Sequence, residues 1–454
     1  MNVLRDARTG ELLVQHNQSG LLGRLRALGA TTPGRYRLWS AGIALTLVAI
    51  AVVATAAAAS LRAGTDRIRN NSGPVLVATQ QLVASLAEAD AAASAAFLSG
   101  RQEDPEQRRL YEEALARASQ QLEDVSSLIG DDRASHQSLK SLSTQVTRYA
   151  GLVEAARALN RVGDAAASTY LVDALNLLGS AVANEAAQLT RATQQRFTRD
   201  EDRRDSGVVV AVALGVVALL ILLAGQRVVT RLSRRLLNPP LVLATLALAV
   251  GTGWLATANL RSGNDLSEAR DKGFESIALT ARIQTTGFRA KADQTVNVIT
   301  GDPARRVSAE QAAADLASQP VTDETVQQAR LGEISPSGGL LTAAAARADS
   351  PRERAAAAEM LVRWQRYADT VADLTSTSDA TQRRAIAVGP SSAAFNGFNF
   401  SVESVLGDNR TQFLGGLEDA SRRLGGLTAV TLLLPLAAAA AALAGFQLRI
   451  NEYR

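Results

Sequence analysis

The sequence contains no cysteine, only two histidines and few aromatic residues, and these scarcities limit its chemistry. Among its 454 residues, phenylalanine, tryptophan and tyrosine together make up 4%. Without cysteine, the chain has no disulfide framework, no thiolate metal site and no cysteine nucleophile. His16 has no acidic or histidine partner at helical spacing, His136 has only Asp132 four residues earlier, and the sequence contains no P-loop, dinucleotide-binding or HExxH motif. We therefore predict that the protein is not an enzyme and has no catalytic, metal-binding or cofactor-binding residues and no cofactor.

Charge is missing from four long apolar stretches. Leu38–Leu61, Ser206–Gln226, Leu236–Leu260 and Leu424–Leu448 contain no ionisable residue over 24, 21, 25 and 25 residues, respectively. At a rise of about 1.5 Å per residue, each stretch can cross a hydrocarbon core of about 30 Å. The sequence therefore predicts an integral membrane protein with four transmembrane helices.

The segments between these spans differ in charge, which predicts their side of the membrane. Residues 1–37, 227–235 and 449–454 hold 12 arginines and three acidic residues. Because short cationic segments stay inside, we expect these three to be cytoplasmic, as a tail, a loop and a tail of a multi-pass plasma membrane protein. Segments 62–205 and 261–423 are then extracytoplasmic. The pI of 9.7 comes from the inner arginines and does not indicate nucleic-acid binding.

The first span has a second interpretation. Ala57-Ala58-Ala59 follows an apolar stretch and is similar to a signal-peptidase site. A signal peptide has an apolar region of about 7–15 residues, whereas this one is longer and follows a long tail. An uncleaved anchor is therefore favoured, and cleavage remains the alternative.

The two halves of the chain follow the same plan. Each leaves its first span through a similar hexapeptide, reaches a glycine after a long helical stretch, and continues with an Asp-Pro pair. We therefore predict a tandem duplication of a span, an outer domain and a second span. The matching positions are Leu61–Asp66 and Leu260–Asp265, Gly100 and Gly301, and Asp104-Pro105 and Asp302-Pro303.

Both outer segments have the apolar spacing of helices, with residues recurring every three or four positions. The pattern predicts an all-α protein with two extracytoplasmic helical bundles, each of about four long helices. We expect the outer two helices of each bundle to continue into the spans, with turns near Gly130, Gly163 and Gly332–Gly339. The stripes are Leu115, Ala118, Leu122, Val125 and Ile129; Leu139, Leu142, Val146, Tyr149 and Val153; and Met360, Trp364, Tyr367, Val371 and Leu374.

Charges of opposite sign occupy equivalent positions in the two halves. Glu88 and Asp90 of the first half correspond to Arg289 and Lys291 of the second when Gly100 is aligned with Gly301. These side chains are candidates for docking the two bundles or for lining grooves of different charge. A solvated helix face explains the same residues and is the favoured interpretation.

Phenylalanines cluster near the end of the second outer segment. Phe395, Phe398 and Phe400 lie within six residues of a chain that has few aromatic residues. They are candidates for a partner-binding patch. Core packing is favoured because Phe395 and Phe398 also have the spacing of a buried helix face.

The inner segments offer a second candidate partner-binding surface, formed by the N-terminal tail with Arg227, Arg231, Arg234 and Arg235. The competing interpretation is that these arginines bind anionic lipid. Within the spans, the Ala437–Ala442 run provides a small-residue face. This face suits packing within the chain, and pairing of two copies in a homo-oligomer is the alternative.

The doubled span–bundle–span plan and the short tail Gln447–Arg454 resemble an actinobacterial four-span membrane protein. That family acts between an extracytoplasmic glutamate/aspartate-binding lipoprotein and the soluble serine/threonine protein kinase G. Each half also resembles the four-helix-bundle sensor modules of chemoreceptors. The resemblance implies a signal-transducing receptor subunit with these two partners, and it assigns no residue a role.

A function without signalling is the alternative. A protein of this layout can also be a subunit of a transport system or an envelope scaffold. The absence of ionisable residues within the four stretches weighs against transport, because transported ions and charged solutes usually need such groups.

Overall fold

The computed structural model describes residues 32–129, 133–233 and 239–451. Within these residues every regular element is a helix, which confirms the predicted all-α class. In the first part of the chain the helices are α1 Thr32–Arg67, α2 Gly73–Leu98, α3 Pro105–Leu128, α4 Arg133–Val162, α5 Ala166–Leu177 and α6 Ala183–Ser233. In the second part they are α7 Pro239–Glu268, α8 Glu275–Thr300, α9 Pro303–Leu316, α10 Asp323–Leu331, α11 Leu340–Ala346, α12 Pro351–Ser376, α13 Ala380–Val388, α14 Pro390–Arg422 and α15 Leu427–Asn451.

The chain divides into two compact units. The first, called here the membrane unit, takes its described residues from Met1–Gly64, Asp202–Ser262 and Ser421–Arg454. The second, called the helical domain, consists of Thr65–Glu201, its first half, and Gly263–Ala420, its second half. The chain therefore enters and leaves the helical domain twice.

The membrane unit packs through small and branched apolar side chains. Leu47, Leu222 and Leu248 lie on three different helices and are each 1% exposed. Large apolar residues also cover the outside of this unit. Such an exposed apolar surface is unfavourable in water and suits a lipid environment. The exposed residues include Leu45, Val52, Val209, Leu220, Leu243, Trp254 and Leu433.

Several described helical stretches are long and apolar enough to cross a membrane, so this is a membrane protein. Four of them overlap the charge-free runs, and the fifth is Ala166–Asp200. That fifth stretch contributes Leu171, Leu175 and Leu189 to the core of the helical domain, where each is at most 6% exposed. Four spans therefore remains our prediction, with the fifth stretch assigned to the domain. The stretches are Leu38–Leu98, Ala166–Asp200, Gly207–Arg227, Pro239–Thr300 and Ala380–Leu448.

Equivalent helices of the two halves share an unusual local feature. π-helical turns at Ile68–Ser72 and Ala269–Phe274 join α1 to α2 and α7 to α8. They begin 201 residues apart, which is also the separation of Gly100 and Gly301. A π turn is a rare insertion in a helix, so its recurrence in register supports the predicted duplication.

The core of the first half follows the predicted stripes. All five residues of the second stripe are buried, with Leu142 and Tyr149 at 0% exposure. Of the first stripe, Ala118, Val125 and Ile129 are buried, and the two leucines pack against them. At the start of α3, the Asp104 side chain accepts a hydrogen bond from the Glu106 backbone N–H, and Pro105 occupies the first turn.

Two expectations about helix length were wrong in the second half. Short helices α9, α10 and α11 replace one long helix. The turn expected at Gly332–Gly339 is present, with φ of +77° and +115° at these two glycines, and a further break over residues 317–322 separates α9 from α10. The last outer helix also does not continue into its span. A turn separates α14 from α15, and Gly426 in that turn has φ of +75°.

Candidate ligand-binding site

The two halves of the helical domain meet along α2 and α8. Small side chains allow this close packing: Ala91 of α2 is 5% exposed and lies in one apolar cluster with Ile283 and Phe288 of α8. One apolar cluster contains Leu171 and Leu175 from the first half together with Ala292 and Val296 from the second. The halves therefore share a core, and polar groups on these two helices are removed from water.

Asp90 of α2 is one of these groups. Asp90 is 8% exposed, and its carboxylate accepts a hydrogen bond of 3.3 Å from the Tyr149 hydroxyl. Burial and, secondarily, the negative charge of Asp293 raise the pKa of Asp90 to about 7. Asp90 therefore changes charge near neutral pH, where an ordinary aspartate stays ionised.

A second group of polar side chains is centred on Asp293 of α8, whose charge acts on Asp90. Its carboxylate accepts hydrogen bonds from Arg305 Nη1 at 2.7 Å and from Ser308 Oγ at 2.6 Å. Arg305 also donates from Nη2 to Asn176 Oδ1 of the first half at 2.9 Å. The Arg305 guanidinium thus links the two halves, because it bonds to Asp293 of the second half and to Asn176 of the first.

A cavity of about 530 Å³ lies beside these groups, between α2, α5 and α6 of the first half and α8 and α9 of the second. Its apolar wall includes Leu86, Leu175 and Val182, and a π-helical turn, Leu178–Val182, also lines it. The volume is within the usual range for small-molecule sites, which are mostly apolar with a few convergent polar groups. The polar edge consists of Asp90, Asn176, Ser180, Thr285, Arg289, Asp293 and Arg305.

Two carboxylates and two guanidiniums therefore line one side of the cavity. Arg289 is the more available cation, because its side chain is 70% exposed and its Nε lies 3.8 Å from Asp293 Oδ2. A ligand that carries both an ammonium and a carboxylate would find a partner for each. The arrangement suits a small zwitterion.

The remaining members of the predicted charge set bond within their own halves. Glu88 forms an ion pair with Arg117 at 2.5 Å, and burial raises the pKa of Glu88 although Arg117 opposes that shift. Lys291 Nζ donates to Ser391 Oγ at 3.1 Å and to the Ala387 carbonyl at 3.4 Å. Burial lowers the pKa of Lys291 to about 7.

A solvated helix face was therefore the wrong interpretation for Asp90 and Lys291, which are 8% and 4% exposed. The sequence pattern did not single out Asp293 or Arg305. A carboxylate two residues after Lys291, followed by an arginine just after Asp302-Pro303, was the available signal.

Most of the phenylalanine cluster is core. Phe395 and Phe398 are 4% and 1% exposed, and Phe398 packs edge-on against Trp364 at 5.1 Å between ring centroids. Neither can serve as an exposed partner-binding patch, because burial in the core removes both from the surface. Phe400 points away from this cluster and is 73% exposed.

The inner arginine surface lies mostly outside the described residues. Arg227 is exposed near the end of α6. The structure does not describe the tail before Thr32, the side chain of Arg231, or Arg234 and Arg235. This surface therefore stays a prediction.

Residues 64–202 match the family model of the actinobacterial sensor domain. The match covers the first half of the helical domain and includes Asp90, Tyr149 and Asn176. A search among curated proteins found no match. The similarity supports an actinobacterial sensor protein, and the site described above has one wall within the matched segment.

Proposed function

We propose that the protein is a transmembrane signal-transducing receptor subunit. It relays the availability of external glutamate or aspartate from an extracytoplasmic amino-acid-binding lipoprotein to a cytoplasmic serine/threonine kinase. The sensor-domain match and the apolar helices support the receptor part of this proposal. The named partners come from the resemblance of the sequence plan.

The observation that carries the proposal is the unbroken helix α6. It is 51 residues long, which corresponds to about 76 Å at 1.5 Å per residue. The same helix contributes Leu189 and Phe197 to cores of the helical domain, includes the charge-free run Ser206–Gln226, and then reaches Arg227. A shift or rotation imposed at one end is transmitted along a continuous helix, so α6 is a suitable route for a signal.

The candidate site lies where such a shift can begin. The π-helical turn Leu178–Val182 both lines the cavity and leads directly into α6. π turns are rare and occur frequently at functional sites, so this turn is a candidate point at which a change of helix register enters α6. Binding in the cavity between the two halves therefore shifts the position of α6 if the ligand, or a bound lipoprotein, favours one arrangement of this turn over another.

The proposal is tested by kinase output in cells that lack the protein. Null cells are complemented with wild-type chain or with variants at equal membrane levels, and phosphorylation of the kinase substrate is measured after external glutamate or aspartate. We expect wild type to restore the response. A full response in null cells would show that the chain is not the relay.

Insertions after Arg199 test the helical route. Four glycines weaken the helix by about 1 kcal/mol each, whereas four alanines add about one turn and preserve helix continuity. We expect the glycine insertion to lose the response and the alanine insertion to retain most of it. Equal responses from both variants would exclude α6 as the route.

The transport alternative is distinguished by uptake of labelled glutamate. A receptor leaves initial uptake unchanged when it is deleted, while the phosphorylation response is lost. Loss of uptake in null cells, with a normal kinase response to glutamate generated inside the cell, would assign the chain to transport.

A further inference from the structure

A second cavity, of about 410 Å³, lies wholly within the second half of the helical domain. Its lining runs from Ala290 to Arg383 and comes from α8, α9, α12 and α13, with Gly301 between two of them. It shares no lining residue with the cavity described above, which is lined by residues of both halves. Its volume is sufficient for a small organic molecule.

One side of this cavity is aromatic and aliphatic. Trp364 and Tyr367 of α12 line it, with ring centroids 5.6 Å apart, and Val371 and Leu374 continue the same wall. The two aromatic residues are 4% and 2% exposed, so their positions are fixed by the core. Such a wall stabilises the apolar body of a ligand by excluding water.

A buried amide beside Tyr367 also lines the cavity, and its carbonyl oxygen already accepts a hydrogen bond. The Tyr367 hydroxyl donates to Gln294 Oε1 at 2.9 Å, and Gln294 is 7% exposed. Gln294 Nε2 is buried and has no hydrogen-bond partner among the described residues. An amide nitrogen is a donor only, so this position favours a ligand that accepts a hydrogen bond.

Arg383 provides a second donor of the same kind. It lies in the first turns of α13, it lines the cavity, and its Nε is buried without a hydrogen-bond partner among the described residues. Leaving two buried donors unsatisfied is costly, and both line the same cavity. The feature that would satisfy both is an acceptor positioned between them.

Charge at the rim favours an anionic acceptor. Arg306 and Glu310 line the cavity and lie 3.8 Å apart as an exposed ion pair, so their charges largely balance. Arg383 then leaves the lining with a net positive charge. A carboxylate has only acceptor sites when ionised and forms its strongest hydrogen bonds with guanidinium and amide donors.

We propose that this cavity is a binding site for a small organic monocarboxylate with an apolar body. The carboxylate accepts hydrogen bonds from Gln294 Nε2 and Arg383, and the apolar body packs on Trp364 and Tyr367. An amino acid is a poorer ligand here, because Glu310, the one carboxylate among the lining residues that the structure describes, is already paired with Arg306 and leaves the ammonium without an unpaired acceptor. The site is additional to the proposed receptor function and does not depend on it.

The test measures binding to the full chain in detergent micelles. Trp39→Phe and Trp254→Phe leave Trp364 as the single tryptophan, whose fluorescence then reports on the cavity. Benzoate is the probe, benzamide is its neutral isostere, and glutamate and inorganic phosphate are the competing chemistries. We expect benzoate to quench or shift the Trp364 emission saturably and to bind at least about tenfold tighter than benzamide, as expected when an ionised acceptor is lost.

Variants locate the site. Gln294→Met and Arg383→Met remove one donor each at similar side-chain length, and each is expected to weaken benzoate binding about tenfold or more. Arg384→Met is the matched control, because Arg384 is an exposed arginine on the same helix and does not line the cavity. Helical circular dichroism and melting temperature establish that each variant is folded, and Arg383→Met, on the rim, remains informative if Gln294→Met unfolds.

Three results would overturn the proposal. The first is no saturable benzoate binding to folded wild type at millimolar concentration. The second is benzamide, glutamate or phosphate binding as tightly as benzoate. The third is an equal loss of affinity in Arg384→Met and Arg383→Met, which would indicate a general charge effect.

Discussion

Replacing Lys291 with methionine is expected to stabilise the helical domain, although it removes two hydrogen bonds. Lys291 is 4% exposed, and burial lowers its pKa from 10.5 to about 7. A neutral amine can still donate to both Ser391 Oγ and the Ala387 carbonyl. Burial of Lys291 lowers the free energy of unfolding, because the ammonium group of the unfolded chain must release a proton before this side chain is buried.

The size and the sign of this cost follow from the two pKa values. At pH 7 the unfolded lysine is charged and the folded one is half charged, which costs about 4 kcal/mol of unfolding free energy. Between pH 7 and the unfolded pKa of 10.5, the unfolded state binds more protons, so stability rises with pH. The cost falls to about 2 kcal/mol at pH 9. After about 1 kcal/mol for the lost hydrogen bonds, the methionine variant should gain about 3 kcal/mol at pH 7 and about 1 kcal/mol at pH 9.

The assay is urea unfolding of the full chain in detergent micelles, followed by Trp364 fluorescence in the Trp39→Phe, Trp254→Phe background. Lys140→Met is the matched control, because Lys140 is an exposed lysine of the first half. We expect the control to change the unfolding free energy by less than about 0.5 kcal/mol at both pH values. If Lys291→Met destabilises the domain, or stabilises it equally at pH 7 and pH 9, the buried-amine argument is refuted.

Three further predictions follow from single residues. Between pH 5 and pH 8, wild type should lose about 3 kcal/mol of unfolding free energy in urea, because Asp90 has a folded pKa near 7 and an unfolded pKa of 3.8, so the folded state binds more protons in that window. The Asp90→Asn variant should not show this loss. Gly273→Ala should lower stability by about 1–3 kcal/mol in the same assay, since an added Cβ would lie 2.9 Å from Phe413 Cα. A cysteine at Ser119 should react with an impermeant maleimide in intact cells, whereas one at Ser19, outside the described residues, should react only after the membrane is opened.

Each of these three has a matched control. Asp315→Asn changes an exposed aspartate and should leave the pH dependence unchanged. Gly415→Ala adds a Cβ with no atom within 4 Å, so it should be neutral or stabilising by up to about 1 kcal/mol. Ser318 is exposed in the second half and should label like Ser119. Labelling at Ser19 in intact cells would reverse the predicted orientation, and equal effects of the two alanine variants would contradict the packing argument at Gly273.

Helical periodicity and local capping were readable from the sequence, because each depends on neighbouring residues. The stripe from Leu139 to Val153 is buried as predicted, and Asp104 and Asp302 cap the helices that their following prolines begin. Gly163 adopts φ of +76° where a turn was expected. Such features need no knowledge of distant segments.

The candidate site was much harder to predict, because it depends on which helices meet. Asp90 and Lys291 follow the spacing of solvated charges, and only the packing of α2 on α8 and of α8 on the helices of its own half buries them. Arg305 reaches Asn176 across a sequence separation of 129 residues. Phe395 and Phe398 were ambiguous for the same reason, since an aromatic stripe suits both a core and a docking surface until its neighbours are known.

The central claim is that an external amino acid changes the activity of an internal kinase through this protein. The most direct test reconstitutes the chain in liposomes, with the purified amino-acid-binding lipoprotein on the side of the helical domain and the kinase with its substrate on the other. The rate of substrate phosphorylation is measured before and after glutamate is added to the lipoprotein side. We predict that glutamate changes this rate with wild-type chain and with the four-alanine insertion after Arg199, and not with the four-glycine insertion. An unchanged rate with wild type, while the lipoprotein is saturated with glutamate, would contradict the account.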